Sequence, residues 1–231
     1  MQQLNDANSL DVMPSYNPNG DRIVYASNRT GRRLTIWERS TTGIGGIISL
    51  ADNRDEQDLW PSIDADPHTH LFYEALFDGQ PDGHLYMATL NSSERAELTV
   101  NGISEPRISP NASSIVFVNV NERTGKREIY RMPIEGGTPE LLASSPDADC
   151  YDPCFSADGS KLAFASDLGL DAEKRHNPDI WVIDLAHPEA PEQVTRNGSV
   201  DDCPAWDPKG NAIYFRSNRG GAWGIWRIDL H

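Results

Sequence analysis

The sequence has few cysteines, an excess of acidic over basic residues and no long apolar segment. Its three cysteines, Cys150, Cys154 and Cys203, cannot all pair within one chain and are too few for a disulfide framework, so we expect reduced thiols. Twenty Lys and Arg against 35 Asp and Glu give a formal net charge of −15. Because this field repels phosphate backbones, nucleic acid is excluded as an expected partner.

The sequence as given shows neither a signal peptide nor a membrane segment. It lacks a basic n-region with an apolar h-region, and its apolar runs stay far below the ~18 residues of a membrane span. We therefore expect no membrane insertion. The location predicted from these features and the unpaired thiols is cytoplasmic, or periplasmic if a leader has been removed.

What the sequence does contain is a five-fold internal repeat. A proline is followed two residues later by a large apolar residue or aromatic, and then by a turn rich in Asp, Asn, Pro and Gly. The repeats begin at Pro14, Pro61, Pro106, Pro153 and Pro204, which lie 47, 45, 47 and 51 residues apart. Self-similarity at this period is typical of propellers and solenoids.

Each repeat predicts four short strands. A β-branched and aromatic run follows the turn, as in Ile23-Val24-Tyr25-Ala26, and an aliphatic-aromatic pair such as Ile36-Trp37 marks a third strand. A weaker fourth strand closes the unit, as in Glu140-Leu141-Leu142-Ala143. Four antiparallel strands per repeat make one propeller blade. The prediction is an all-β, five-bladed β-propeller forming a single domain over residues 1–231, with blades at about 10–50, 57–100, 102–143, 149–195 and 200–231 plus 1–5.

The last repeat stops after its third strand, and the start of the chain supplies a candidate for the fourth. Residues 3–14 align without a gap on residues 193–204, and both segments end in the repeat proline. We therefore expect the N-terminal strand to complete the last blade, which would leave no free sheet edge at that seam.

The repeat resembles the TolB-type propeller repeat, also described as WD40-like or PD40. The shared pattern is Asp-x-x-Pro-x-aromatic-Ser-Pro-Asp-Gly, then Ser-x-Arg, then Ile-Tyr or Ile-Trp. The leading Asp occurs as Asp11, Asp58 and Asp201, whereas Ile103 and Cys150 replace it in the third and fourth repeats. The Ser-x-Arg element survives in residues 27–29 and 217–219.

This resemblance implies a propeller that recognises protein partners, as the C-terminal propeller domain of TolB does with a lipoprotein of the Gram-negative envelope. The same repeat occurs as a gating propeller in prolyl-oligopeptidase-like peptidases. The sequence contains no Gly-x-Ser-x-Gly element, so it does not carry that serine-peptidase chemistry itself. We therefore expect a non-enzymatic scaffold that binds a protein or a peptide.

Every repeat places a carboxylate near the start of its innermost strand, at one mouth of the predicted channel. The candidates are Asp11, Asp58, Glu105, Asp152 and Asp201. Converging acids repel one another unless a cation, water or arginine offsets them. One interpretation is a bound calcium ion, which takes six to eight oxygen ligands. The other is local hydrogen bonding, or pairing with Arg29 and Arg219.

Two further functions stay open at this stage. A five-bladed glycoside hydrolase would use two of these carboxylates about 5–9.5 Å apart, but only the fold supports that analogy. The chain could also be a propeller fragment of a larger TolB-like or peptidase-associated protein.

Partner contacts are expected from variable loops and from aromatics at unusual positions. The longest loop between second and third strands, in the fourth repeat, contains Asp171, Lys174, Arg175 and His176. Trp60 directly precedes Pro61, and Trp223 lies in a Gly-Gly-Ala-Trp-Gly loop. Exposed tryptophans are common at binding hot spots. We expect the chain itself to be a monomer.

Overall fold

A computed structural model describes residues 8–17, 19–42, 48–51, 56–64, 70–80, 83–90, 94–99, 102–169 and 177–230. These described residues form 19 β-strands and no helix, arranged in five antiparallel sheets. The fold class is an all-β, five-bladed β-propeller, which confirms the prediction from the repeat. No helix of this part of the chain could cross a membrane.

The strands follow one another in sheet order, so that each repeat builds one sheet. The first sheet contains β1 (Asp11–Tyr16), β2 (Arg22–Ser27), β3 (Thr35–Ser40) and β4 (Ile48–Ala51). The second contains β5 (Glu56–Ile63), β6 (His70–Phe77), β7 (His84–Thr89) and β8 (Arg95–Thr99). The third contains β9 (Ile103–Ile108), β10 (Ser114–Val120), β11 (Arg127–Pro133) and β12 (Glu140–Ala143).

The last two sheets follow the same order. The fourth contains β13 (Cys150–Phe155), β14 (Lys161–Ser166), β15 (Asp179–Asp184) and β16 (Glu192–Gln193). The fifth contains β17 (Asp201–Trp206), β18 (Ala212–Ser217) and β19 (Gly224–Asp229), three strands within the described residues. Residues 1–7 lie outside the described part of the chain, so the completion of this sheet by the N-terminal strand stays a prediction.

The turn after each innermost strand explains the Asp, Asn and Gly of the repeat. In the fourth sheet, Ser156 Oγ accepts the backbone N–H of Lys161 at 3.0 Å and the Asp158 carboxylate accepts that of Ser160 at 3.0 Å. The glycines at the same turn position, Gly20, Gly159 and Gly210, have φ of 72°, 71° and 72°. Glycine adopts this left-handed conformation without steric cost.

The chain divides into two compact units, Met1–Ile108 and Ser109–His231. In the first unit, Ala26 and Ile36 of the first sheet pack on Leu71, Tyr73 and Ala75 of the second. We call the face carrying Ala26 and Ile36, and its counterpart in every sheet, the leading face. The opposite face, which carries Leu71 and Tyr73 in the second sheet, is the trailing face.

The second unit repeats this packing twice. Val116, Val118 and Ile129 on the leading face of the third sheet share a core with Leu162 and Phe164 on the trailing face of the fourth. A second cluster joins the leading face of the fourth sheet to the trailing face of the fifth; it contains Ala163, Ile180, Ile213 and Phe215. In each described cluster a leading face is therefore covered by the trailing face of the next sheet.

Candidate functional site

The innermost strand of every sheet contains a left-handed residue directly before the repeat proline. The residues Met13, Trp60, Glu105, Asp152 and Cys203 have φ of 55°, 50°, 56°, 54° and 52°. The strand register slips at this point in the first, second, fourth and fifth sheets. We call these five positions the bulge residues.

A left-handed backbone is unfavourable at these positions for two reasons. For a residue with a Cβ it costs about 1–2 kcal/mol. A following proline also favours an extended rather than a helical conformation for the residue before it. The sequence patterns of strands therefore predict regular strands here and do not predict the bulge. The one sequence signal for the bulge is the repeat proline, because it directly follows the bulge residue in all five strands.

Asp11 and Asp201 occupy equivalent positions at the starts of their strands, and each binds an arginine of its own sheet. Arg29 donates to both carboxylate oxygens of Asp11, at 3.2 and 3.3 Å. Arg219 donates to Asp201 at 2.6 Å, and Asn197 donates to the same oxygen at 2.9 Å. These are the arginine pairings that we expected from the sequence as the alternative to a bound cation.

The environment of Asp11 favours its charged form. Burial opposes this, but hydrogen bonds from Ser27 and Ser9 and the Arg29 guanidinium together lower the pKa of Asp11. Both carboxylates therefore form ion pairs within their own sheets. The Asp11 side chain is 7% exposed, and the Asp201 side chain is fully buried.

Asp58 is the equivalent residue of the second sheet and is fully buried. Its backbone N–H donates to the carbonyl oxygen of Leu34, directly before β3 of the first sheet, at 2.9 Å. Burial, and next the negative charge of Asp58, raise the pKa of Tyr73 to about 12. The residue therefore lies in the interior of the first unit.

Glu105 is a bulge residue whose backbone reaches a buried acid. Its N–H donates to the carboxylate of Glu74, and the Glu105 side chain is itself 7% exposed. Burial first, and then the charge of Glu105, raise the pKa of Glu74 to about 7 despite this hydrogen bond. Glu74 thus keeps its proton to a higher pH than an exposed glutamate does.

Asp152 is the bulge residue of the fourth sheet and holds the bulge of the fifth. Its Oδ2 accepts the backbone N–H of Cys203 at 3.0 Å. Beside them, Arg216 donates two hydrogen bonds to Asp202, at 2.7 and 2.6 Å. The second unit therefore presents two neighbouring bulges connected by a carboxylate. Cys203 is exposed, whereas Cys150 at the start of β13 is buried.

The two candidate tryptophans are both stacked with arginines. Trp60 is half-buried, and the Arg107 guanidinium lies 5.1 Å from its ring centre. Trp223 is 55% exposed, and the Arg216 guanidinium lies 4.6 Å from its ring centre. A guanidinium over an indole ring is attracted to the ring face, by about 0.5–1 kcal/mol at an exposed site. Trp223 in particular is an exposed aromatic that stacks with an arginine.

The remaining candidates are the loop residues of the fourth repeat and a metal site. Asp171, Lys174, Arg175 and His176 lie outside the described residues, so their role as partner contacts stays a prediction. Among the residues described, no group of three or more His, Cys, Asp or Glu side chains is placed to hold a metal ion.

Comparisons with known proteins agree with this architecture. No family model matches the sequence. The chain is 28% identical over 221 residues to an uncharacterized protein of Agrobacterium fabrum, covering 86% of this chain and 69% of that protein. It is 26% identical over 177 residues to a TolB homolog of Chlorobium luteolum, covering 72% and 35% of the two chains.

Solved structures show the same relationship at the level of the fold. TolB from Acinetobacter baumannii superposes with a TM-score of 0.77 at 20% identity, over 96% of this chain and 52% of that one. The chain thus spans about half the length of that structure. In sequence and in fold, the protein is a TolB-like β-propeller resembling the TolB C-terminal domain.

Proposed function

We propose that this chain is a non-catalytic scaffold that binds a protein or peptide partner through its bulge residues and the tryptophans beside them. The observation that carries the proposal is the left-handed backbone before the proline in all five innermost strands. None of the five positions is glycine, the residue that would remove the strain. Strain kept at every repeat suggests that the side chains at these positions are needed.

The five bulge residues differ in chemical type, which supports a role in binding a partner rather than a common structural role. The backbone conformation is the same within 6° of φ, yet the side chains are Met, Trp, Glu, Asp and Cys. A common packing role would favour one residue type at all five positions. Varied side chains on a constant backbone are how rigid scaffolds build a specific binding surface.

Each unit carries one tryptophan anchor at or near its own bulge residues. Trp60 is itself a bulge residue, and Trp223 lies beside Arg216, whose other contact is Asp202. Tryptophan and arginine are enriched among residues that dominate binding energy. The net charge of −15 favours a partner surface that is basic or neutral.

Neither catalysis nor a cation is needed for this proposal. A glycosidase requires two carboxylates free to act as acid and as base or nucleophile. Asp11 and Asp201 are instead held by Arg29 and Arg219, which also supply the positive charge that calcium would have provided. The glycosidase and calcium hypotheses are therefore less well supported than a scaffold.

A displayed peptide library, selected on the whole chain, tests the proposal. Peptides that bind should lose about tenfold or more in affinity when Trp223→Ala or Trp60→Ala replaces the wild type, measured by isothermal titration calorimetry. Leu141→Ala is the matched control, since Leu141 is 47% exposed and lies on β12, away from the innermost strands.

The calorimetry of these variants distinguishes a surface that binds peptides through the tryptophans from one that does not. Binding lost with either tryptophan variant but kept with the Leu141 variant supports the proposal. A library that yields no binder, or binders insensitive to both tryptophans and to Asp152→Ala, contradicts it.

A further inference from the structure

The turns that follow the innermost strands of the fourth and fifth sheets enclose a cleft of about 390 Å³. The cleft lies within the second unit, at the carboxyl ends of β13 and β17, and small-molecule sites begin at about 300 Å³. Trp206, Pro208 and Lys209 line it from the fifth sheet, and Ala157 and Lys161 line it from the fourth. None of these is a bulge residue, so the cleft is separate from the surface of the proposed function.

The sequences of the turns explain why this cleft is open. Between the third and fourth sheets Pro110 fills the equivalent space, because a Cβ on the turn residue Gly159 would lie 3.4 Å from the proline ring. Ala157 stands at the position of Pro110 in the next repeat and has no ring. A Cβ on Gly210, the counterpart of Gly159, would meet no atom within 4 Å. The smaller side chain therefore leaves space where the preceding pair of turns is in contact.

Two lysines give the cleft positive charge in a strongly acidic protein. Lys161 and Lys209 are two of the four lysines in a chain of net charge −15. Both are exposed, and among the residues that the structure describes neither side chain forms an ion pair or a hydrogen bond. Both ammonium groups are therefore available to an anionic ligand.

The one acid that lines the cleft is engaged within its own turn. Ser156 Oγ donates to the Asp158 carboxylate at 2.7 Å, and the N–H and hydroxyl of Ser160 donate to it at 3.0 and 2.9 Å. The hydrogen bond from Ser156, followed by those from Ser160, lowers the pKa of Asp158 to about 2, so the group stays charged. The lining side chains thus carry two positive charges and one negative charge, which suits a monoanion better than a dianion.

Trp206 gives the same cleft an apolar side. Its indole N–H donates to the carbonyl oxygen of Cys154 at 3.0 Å, which ties the half-buried ring to the innermost strand of the fourth sheet. A ring of a ligand can pack on an indole and gain burial that a small inorganic ion cannot.

We propose that this cleft binds a small carboxylate that carries a ring, with the carboxylate bound by Lys161 and Lys209 and the ring packed on Trp206. Lysine binds a carboxylate as a compact charge without a fixed geometry, so several acids of this class can fit. Because both lysines are exposed, the dissociation constant should be modest, on the order of 1 mM.

A titration of the isotope-labelled whole chain with sodium benzoate, followed by amide NMR spectra at neutral pH, tests the proposal. The amide signals of residues 156–161 and 206–210 and the Trp206 indole N–H should shift saturably. Acetate has the charge without the ring, and benzyl alcohol has the ring without the charge. Each should bind at least about fivefold more weakly than benzoate.

Substitutions in the cleft separate the effect of space from the effect of charge. Ala157→Pro should fill the cleft and weaken benzoate binding about tenfold with no change of charge, and Pro110 shows that this turn position accepts proline. Lys161→Gln and Lys209→Gln should each weaken binding by about 1.5- to 5-fold. Lys126→Gln is the control, because it removes the same charge outside the cleft and should bind benzoate like the wild type.

Three results would overturn the proposal. The first is the absence of saturable benzoate shifts in the two turns. The second is acetate binding as tightly as benzoate, since the ring would then contribute nothing. The third is benzoate affinity that neither lysine variant lowers. If Ala157→Pro lowers the unfolding midpoint, the comparison of the two lysine variants with Lys126→Gln decides alone.

Discussion

The second and fifth sheets carry the same buried aspartate in different surroundings. Asp58 and Asp201 are both fully buried at the start of an innermost strand. Across the strands, Asp201 faces Ser217 of the Ser-x-Arg element, and Arg219 binds its carboxylate. Asp58 faces Ala75, and Phe77 stands where the arginine would be. The aspartate is thus present in both repeats, whereas the residue at the position of the arginine differs.

The second sheet also collects other acids that the fifth sheet lacks. Glu56 is 1% exposed and is bound by Arg95, whose guanidinium lies 4.4 Å from the ring centre of Tyr86. Glu74 stands on the leading face where the fifth sheet has Arg216. The comparison teaches that the repeat backbone fixes where a buried carboxylate lies, whereas the residues around it differ between sheets. Arg219 binds Asp201 in the fifth sheet, and Arg95 binds Glu56 in the second.

The largest expected effect comes from removing the arginine of the fifth sheet. Arg219→Ala leaves Asp201 buried with Asn197 as its side-chain donor, and should lower the free energy of unfolding by about 3 kcal/mol. The measurement is the urea unfolding midpoint. Asp201→Asn added to this variant should recover part of the loss, because it removes the uncompensated charge.

The equivalent change in the first sheet gives the matched comparison. Arg29→Ala should cost less, because Ser9 also donates to Asp11 at 2.9 Å and Asp11 is not fully buried. If the Arg219→Ala variant and its Asp201→Asn derivative unfold at the same midpoint, the charge explanation is wrong and lost packing on Phe215 accounts for the effect.

The second sheet should show a pH dependence that is set by Glu74. The pKa of Glu74 is raised to about 7, so between pH 4.5 and 7 the folded state holds a proton that the unfolded chain has released. Stability is therefore highest below this window and falls as pH rises through it, by roughly 3 kcal/mol in all. Glu74→Gln should flatten this fall.

A second acid must be separated from this measurement. Burial raises the pKa of Asp179 to about 6, and its proton is lost over a lower range. The change between pH 6 and 7.5 therefore reports mainly on Glu74. A Glu74→Gln variant whose unfolding midpoint declines over that range as steeply as the wild type would contradict the assignment.

The space around Glu74 gives a smaller, steric prediction. A Cβ on Gly83 would lie within 2.7 Å of Glu74 and of the Ile103 carbonyl oxygen, so Gly83→Ala should destabilise the protein by about 1–3 kcal/mol. Gly31→Ala, where a Cβ meets no atom within 4 Å, is the control and should be close to neutral. Thermal unfolding followed by circular dichroism measures both. Equal midpoints would show that the second sheet relaxes around Gly83.

Much of the architecture could be predicted from the repeat, because alternation and turn residues act locally. The third strands fall where Ile36-Trp37 and its equivalents indicated, and the fourth strand of the third sheet spans Glu140–Ala143 as predicted. The fourth strand of the fourth sheet is shorter and spans only Glu192–Gln193. There the Thr195 hydroxyl accepts the Ile180 N–H and donates to Asp179, so a side chain replaces a strand bond.

The candidate site was harder to predict, because its backbone departs from the local rule. The residue before a proline is expected to be extended, yet five such residues are left-handed. Hydrogen bonds from distant residues help to hold them, as when Asp152 accepts the N–H of Cys203 from 51 positions away. Contacts of this kind are invisible in the spacing of the sequence.

The smallest expected effect returns to the fifth sheet and concerns this strain. Cys203→Gly removes the side chain that makes the left-handed backbone costly, and Cys203 is exposed, so little packing is lost. Glycine gains about 1 kcal/mol from the relieved strain and gives back part of it through the entropy of the unfolded chain. We expect the free energy of unfolding, measured with urea, to rise by about 0.5 kcal/mol in total.

The control is Ala205→Gly, at an exposed position two residues later on the same strand. It should instead lower the free energy of unfolding by about 0.5–1 kcal/mol. Opposite signs for these two substitutions would establish that the bulge is strained, whereas equal losses would mean that Cys203 contributes contacts worth more than the strain it imposes.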